Sequence, residues 1–108
     1  MQKTPEGIVK SAILEYLDLR GFFAWSNTTG ALKVRPGQLI RFGKTGSADI
    51  LGCLPDGRFL AIECKSEKGR LSEAQKAFLN EITRLGGIAI VARSFLEVDQ
   101  ALKLAGYV

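Results

Sequence analysis

The sequence predicts an α/β domain in which a mixed central sheet carries helices on both sides. Three observations carry this expectation. The predicted elements run helix, strand, strand, strand, helix, strand, helix, an order that mixes hairpin and crossover connections. "IAIVA" is a short unbroken apolar run, the pattern of a strand buried on both faces. The chain of 108 residues suits a single domain spanning 1–108, with no internal repeat, low-complexity tract or linker.

Each element has a local reason. Thr4-Pro5-Glu6 reads as a helix start, with Thr4 as N-cap and Pro5 at the first helical position. Ile8, Val9, Ala12, Ile13, Tyr16 and Leu17 then form an apolar stripe at helical spacing, and Gly21 ends it. "FFAWSN" reads as a strand. From Thr28 to Ser47, glycines and Pro36 interrupt regular structure, so this stretch is expected to be a long basic loop with a short strand around Leu39–Phe42. An apolar hairpin follows, turning at Pro55-Asp56-Gly57. Ser72 and Gln75 make a capping-box pattern for a second helix, with Ala74, Phe78, Leu79 and Ile82 as its buried stripe and Gly86-Gly87 as its stop. Ser94 and Glu97 repeat the pattern for a last helix that ends at Gly106.

Composition narrows the function. Hydrophobic residues make up 46% of the chain, enough for a core. No apolar run approaches the roughly 20 residues of a membrane span, and the start "MQKTPEGIVK" lacks a secretory apolar stretch. The expectation is a soluble, cytoplasmic protein with no membrane partner. Cys53 and Cys64 fit no zinc spacing and read as buried apolar filler. There is no histidine, which removes imidazole bases and His-ligated zinc. Any hydrolysis must rest on carboxylates, lysine and a hard metal ion. Lys and Arg outnumber Asp and Glu by 15 to 11, a net +4 that suits a polyanionic partner.

The hairpin "DILGCLPDGRFLAIECK" places the charges that matter. With a three-residue loop at Pro55-Asp56-Gly57, Leu54 faces Arg58, and counting outward puts Asp49 directly across from Glu63. Lys65 shares the Glu63 face, because side chains alternate along a strand. A two-residue turn would shift this register by one. Opposed carboxylates destabilise a sheet, and apolar neighbours worsen the repulsion. Lys65 offsets one charge, and a divalent cation such as Mg²⁺, which also takes phosphate oxygens, offsets more. The plainer reading is that acids and lysines at strand ends are simply solvated.

"GSADILG", "LAIECKSEKGRLSEAQKAFLNEI" and "GGIAIVA" together resemble the VRR-NUC nuclease domain of the PD-(D/E)xK superfamily. The resemblance runs from Glu6 to Ala92 and departs at Ala48, where the superfamily motif has a proline that is not a ligand. The chain looks like the stand-alone form of phages and bacteria. The resemblance implies a restriction-endonuclease-like αβββαβα core and Mg²⁺- or Mn²⁺-dependent DNA cleavage leaving 5′-phosphate and 3′-hydroxyl ends. By resemblance, Asp49, Glu63 and the backbone carbonyl of Cys64 would hold the metal. Lys65 would hold the attacking water or stabilise charge on the phosphate. Gln75 matches a helix glutamine near the active site, beside its capping role, and Glu6 matches an acid on the first helix that can approach the metal. Stand-alone members resemble Holliday-junction resolvases, which implies a homodimer acting on branched DNA, since two matching cuts in a four-way junction call for two sites related by two-fold symmetry.

Lys33, Arg35, Arg41, Lys44, Lys68 and Arg70 are candidate phosphate contacts. Each alone reads as a solvated charge, and together they form a track that would position DNA without reading its sequence. Phe22, Phe23 and Trp25 are expected in the core, with base stacking as the alternative. Two other readings stay open: a non-catalytic DNA-binding module on the nuclease fold, and a nuclease for flaps or linear duplex.

Overall fold

The computed structural model describes residues 4–108. Nine elements follow in order: α1 (Pro5–Leu19), β1 (Phe23–Ser26), β2 (Gly30–Arg35), β3 (Gln38–Phe42), β4 (Ile50–Cys53), β5 (Phe59–Cys64), α2 (Glu73–Arg84), β6 (Ile88–Ala92) and α3 (Phe95–Leu104). With β2 and β3 set aside, this is the αβββαβα order.

The central sheet runs β1-β4-β5-β6. β1, β4 and β5 are antiparallel neighbours, and β6 joins β5 in parallel after the α2 crossover. The sheet is mixed, as expected. Helices α1 and α3 cover one face, where Ile13, Leu17, Val98 and Leu102 pack with Ile50, Leu60 and Ile62. Helix α2 covers the other face, where Leu79, Phe78 and Ile82 meet Ala61, Ala89 and Val91. Tyr16 donates its hydroxyl proton to Asp99 Oδ1 at 2.6 Å, tying α1 to α3.

The helix starts behave as their residues dictate. Thr4 Oγ1 accepts from the Gly7 N–H at 3.0 Å. The second capping box closes reciprocally: Ser72 Oγ accepts from the Gln75 N–H at 3.1 Å, and Gln75 Oε1 accepts from the Ser72 N–H at 2.9 Å. At α3 the box slips by one residue, because Glu97 accepts from the Arg93 N–H instead of that of Ser94.

Three expectations need correction. The long basic loop is in fact a second hairpin: β2 and β3 pair antiparallel around the Pro36-Gly37 turn. Proline presets φ at the first turn position and Gly37 supplies φ +78° at the second, so two residues suffice to reverse the chain. Phe23 and Trp25 are 70% and 43% exposed, not buried. They pair with Cys53 and Leu51 on the α2 side of the sheet, and β1 is an edge strand beyond the reach of α2. Their neighbour Phe22 does pack on the α1–α3 core. Cys64 is buried as expected, whereas Cys53 is exposed for the same reason as Phe23. Among the described residues no helix is long and apolar enough to cross a membrane.

Candidate active site

The site lies at the end of the sheet where β1 and β5 finish and β4 begins. The β4–β5 turn fixes it from a distance. Leu54 N–H donates to the Arg58 carbonyl at 2.8 Å, so the loop has three residues and Ile50 pairs with Ile62. The next pair outward is Asp49 and Glu63. Asp49 just precedes β4 and is held on two sides. Its carbonyl accepts from the Asn27 N–H at 2.7 Å, and its Oδ2 accepts from the Cys64 N–H at 2.8 Å. Asn27 Nδ2 also donates to Ser47 Oγ at 2.6 Å and to the Ala48 carbonyl at 2.9 Å, lacing the two chain segments together just before Asp49.

Glu63 is 2% exposed. Gln75 Nε2 donates to its Oε1 at 3.2 Å, so Gln75 caps α2 and touches the acid at the same time. Among the described residues Glu63 Oε2 has no hydrogen-bond partner, although it is buried. Burial first, then the adjoining Asp49 carboxylate, push the Glu63 carboxyl well above the usual carboxylate range, while Lys65 pulls it back. A buried acceptor without a donor, beside a second acid, is a costly arrangement that a cation would relieve.

Lys65 is 7% exposed, and its Nζ lies 3.8 Å from Glu6 Oε1. Glu6 therefore meets the lysine, and its carboxylate is about half exposed. Among the described residues no three His, Cys, Asp or Glu side chains gather closely enough to hold an ion by themselves. The Cys64 thiol is pushed up to about 12, by burial first and then by the charges of Asp49 and Glu63, so it stays a neutral thiol. If the Cys64 carbonyl and water joined the two carboxylates around an ion, the donor set would be all oxygen, which suits Mg²⁺ or Mn²⁺ rather than a softer ion.

A cavity of about 180 Å³ opens onto this cluster, lined by Thr4, Glu6, Gly7, Lys10, Asp49 and Cys64. Lys10 was not foreseen, yet it stands one helical turn beyond Glu6, and that spacing was a usable signal. Two further supports had no sequence signal. Asn27 acts through its N–H on the Asp49 carbonyl and its side-chain amide on Ser47 and Ala48. Arg93 donates from Nη2 to the Gly69 carbonyl at 2.7 Å, pinning the 66–72 loop. A Cβ on Gly69 would meet Glu6 Oε1 at 3.0 Å and Lys65 Cδ at 3.2 Å, so that loop forms a wall of the site.

The basic candidates fall into two groups. Lys33, Arg35 and Arg41 lie on the β2–β3 hairpin, with Lys44 just after it. Lys68 and Arg70 lie on the loop that Arg93 pins. All six are exposed. The hairpin springs from the chain between Ser26 and Asp49, and the loop follows Lys65, so both groups leave the sheet at the end that carries the acids.

An αβββαβα core with two acids and a lysine on its central hairpin defines a nuclease-fold protein. The family model of the VRR-NUC domain matches residues 8–96, and the chain belongs to that family. The match takes in Asp49, Glu63, Lys65 and Gln75 and begins just after Glu6. A solved structure titled "VRR_NUC domain protein" superposes with a TM-score of 0.68 at 17% identity, covering 100% of this chain and 91% of that one. At that identity the likeness speaks for the fold alone. No curated protein matches the sequence.

Proposed function

We propose that this protein is a Mg²⁺- or Mn²⁺-dependent DNA endonuclease that selects branched DNA and acts on four-way junctions as a homodimer. The observation that carries the reading is the buried Glu63 carboxylate, which has an unpartnered oxygen beside Asp49 and a lysine. Asp49, Glu63 and the Cys64 carbonyl would hold the metal, with Glu6 reaching it through water. The bound ion supplies Lewis-acid polarisation of the phosphodiester and a more acidic water.

The chain's own residues supply the rest. Gln75 holds one oxygen of Glu63 and the Cys64 N–H holds one oxygen of Asp49, which would leave each acid a second oxygen for the ion. Lys65, 3.8 Å from Glu6, would stabilise the negative charge that grows on the phosphate as water attacks. Lys10, across the cavity, would hold a neighbouring phosphate oxygen. Water would add to phosphorus, the P–O3′ bond would break and the departing 3′ oxygen would take up a proton, leaving a 5′-phosphate and a 3′-hydroxyl. Dimerisation is supported by exposed apolar residues on α1 and α3, among them Leu19, Phe95, Leu96 and Leu104.

The test uses end-labelled four-way junctions, flaps and linear duplex with Mg²⁺ or Mn²⁺. Paired metal-dependent cuts in the junction, lost in Lys65→Ala while binding survives, are the expected result. Binding by the intact protein with no metal-dependent cutting would replace this reading with a non-catalytic DNA-binding module. Preferential cutting of flaps or linear ends would keep the nuclease and remove junction selectivity.

A further inference from the structure

We propose that the β2–β3 hairpin is a wedge that enters duplex DNA at a branch point, its apolar face parting stacked base pairs while its basic face holds the phosphates. The inference rests on the DNA reading above and adds the element that would distinguish branched from linear substrate.

The hairpin is an amphipathic ribbon. Cross-strand partners share a face, so Leu32 and Ile40 lie together, followed by Gly30 and Phe42. The opposite face carries Ala31 with Arg41 and Lys33 with Leu39. A bulge between Lys33 and Arg35 re-aims Arg35 near the tip. The Phe42 ring lies across Gly30, where an added Cβ would meet it at 2.8 Å, and so braces the base of the ribbon. Ahead of that brace Leu32 and Ile40 are 58% and 49% exposed. An isolated two-stranded hairpin is marginal in water, and one that leaves its apolar side chains exposed is built to meet something.

Charge identifies the partner. Residues 28–48 contain Lys33, Arg35, Arg41 and Lys44 and no acid, while the remaining residues carry 11 basic and 11 acidic groups. The whole net charge of +4 therefore sits on this one arm. Such a concentration favours a polyanion over a second copy of the same arm, which it would repel. Position agrees: the ribbon's two legs are laced by Asn27 beside Asp49, so a strand lying over the acids passes the ribbon. Apolar side chains inserted between base steps, flanked by cations on phosphates, are a known way to exploit weak stacking, and stacking is already interrupted at a branch.

The test places 2-aminopurine at the branch point of a four-way junction, with Ca²⁺ in place of Mg²⁺ to hold cutting back. The intact protein should raise its fluorescence. Leu32→Ser/Ile40→Ser, which keeps the Phe42 brace and every cation, should lose that rise and lose junction preference by about tenfold, the scale of one or two lost base contacts. Its binding to linear duplex should stay within about twofold. Lys33→Gln/Arg41→Gln should weaken junction and duplex binding alike. Circular dichroism and thermal melting, unchanged in both variants, show that the core is intact. Retained fluorescence rise and junction preference in the apolar variant would overturn the wedge while leaving the nuclease reading untouched. Conversion of a dimer to a monomer by that variant, with base unstacking unchanged, would overturn it in favour of self-association. Failure of the intact protein to bind DNA at all would remove both readings.

Discussion

At the scale of single residues the protein holds an unresolved electrostatic conflict. Asp49 and Glu63 meet across two strands, one of them buried with an unpartnered oxygen, and Lys65 is already engaged with Glu6. Glu63 should be the residue whose protonation reports the conflict. Its carboxyl is raised in the folded state, so the metal-free fold keeps a proton that the unfolded chain releases. Metal-free stability should therefore fall as pH rises from the ordinary carboxylate range through the raised value. A metal bound at Glu63 would have to displace that proton, so the rise in melting temperature on adding Mn²⁺ should grow over the same window. A metal-induced shift that shrinks with rising pH would contradict this. Glu63→Gln keeps the acceptor for Gln75 and removes the charge. It should leave the metal-free protein as stable or about 1–2 kcal/mol more stable, measured by urea unfolding, and abolish cleavage. Lys65→Ala should lower the cleavage rate by about 10²- to 10⁴-fold with DNA binding little changed.

At the scale of elements, tight backbone contacts hold the site in shape. Gly46 adopts φ +80°, and a Cβ there would collide with the Ala74 carbonyl. Gly46→Ala should cost about 2 kcal/mol or more in stability, since the strained dihedral and the backbone clash add. Arg93 pins the loop that walls off Lys65. Arg93→Ala should cost about 1 kcal/mol for the lost hydrogen bond yet slow cleavage more than it weakens binding; single-turnover rates and titrated affinities would separate the two. Much at this scale is visible in the residue order. The Pro55-Asp56-Gly57 turn sets a register that carries Asp49 to Glu63, and Ser72 with Gln75 shows where α2 begins. The β2–β3 pairing is less visible, because five loop-forming residues mask a pattern whose cross-strand partners become clear only once Pro36-Gly37 is taken as the turn. The burial of Phe23 and Trp25 is misread for a different reason. A strand's composition does not say whether it lies at a sheet edge, and edge position is what leaves these rings in solvent. Asn27 and Arg93 act through contacts across 20 or more residues, which no local pattern announces.

At the scale of the whole molecule, charge and chemistry occupy the same end. The balanced core carries the acids, and the +4 resides on the arm beside them. If Lys33, Arg35, Arg41 and Lys44 each neutralise one phosphate, replacing all four by Gln should reduce the slope of log affinity against log salt by about 3–4. Fluorescence anisotropy at several salt concentrations measures it, and an unchanged slope would remove the arm from the interface. The measurement that bears most directly on the site is calorimetric titration of Mn²⁺ into the intact protein and into Glu63→Gln. Saturable uptake by the intact chain, lost in the folded variant, is the predicted result. Equal uptake by both, or none by either, would contradict a metal centre built on the buried acid pair.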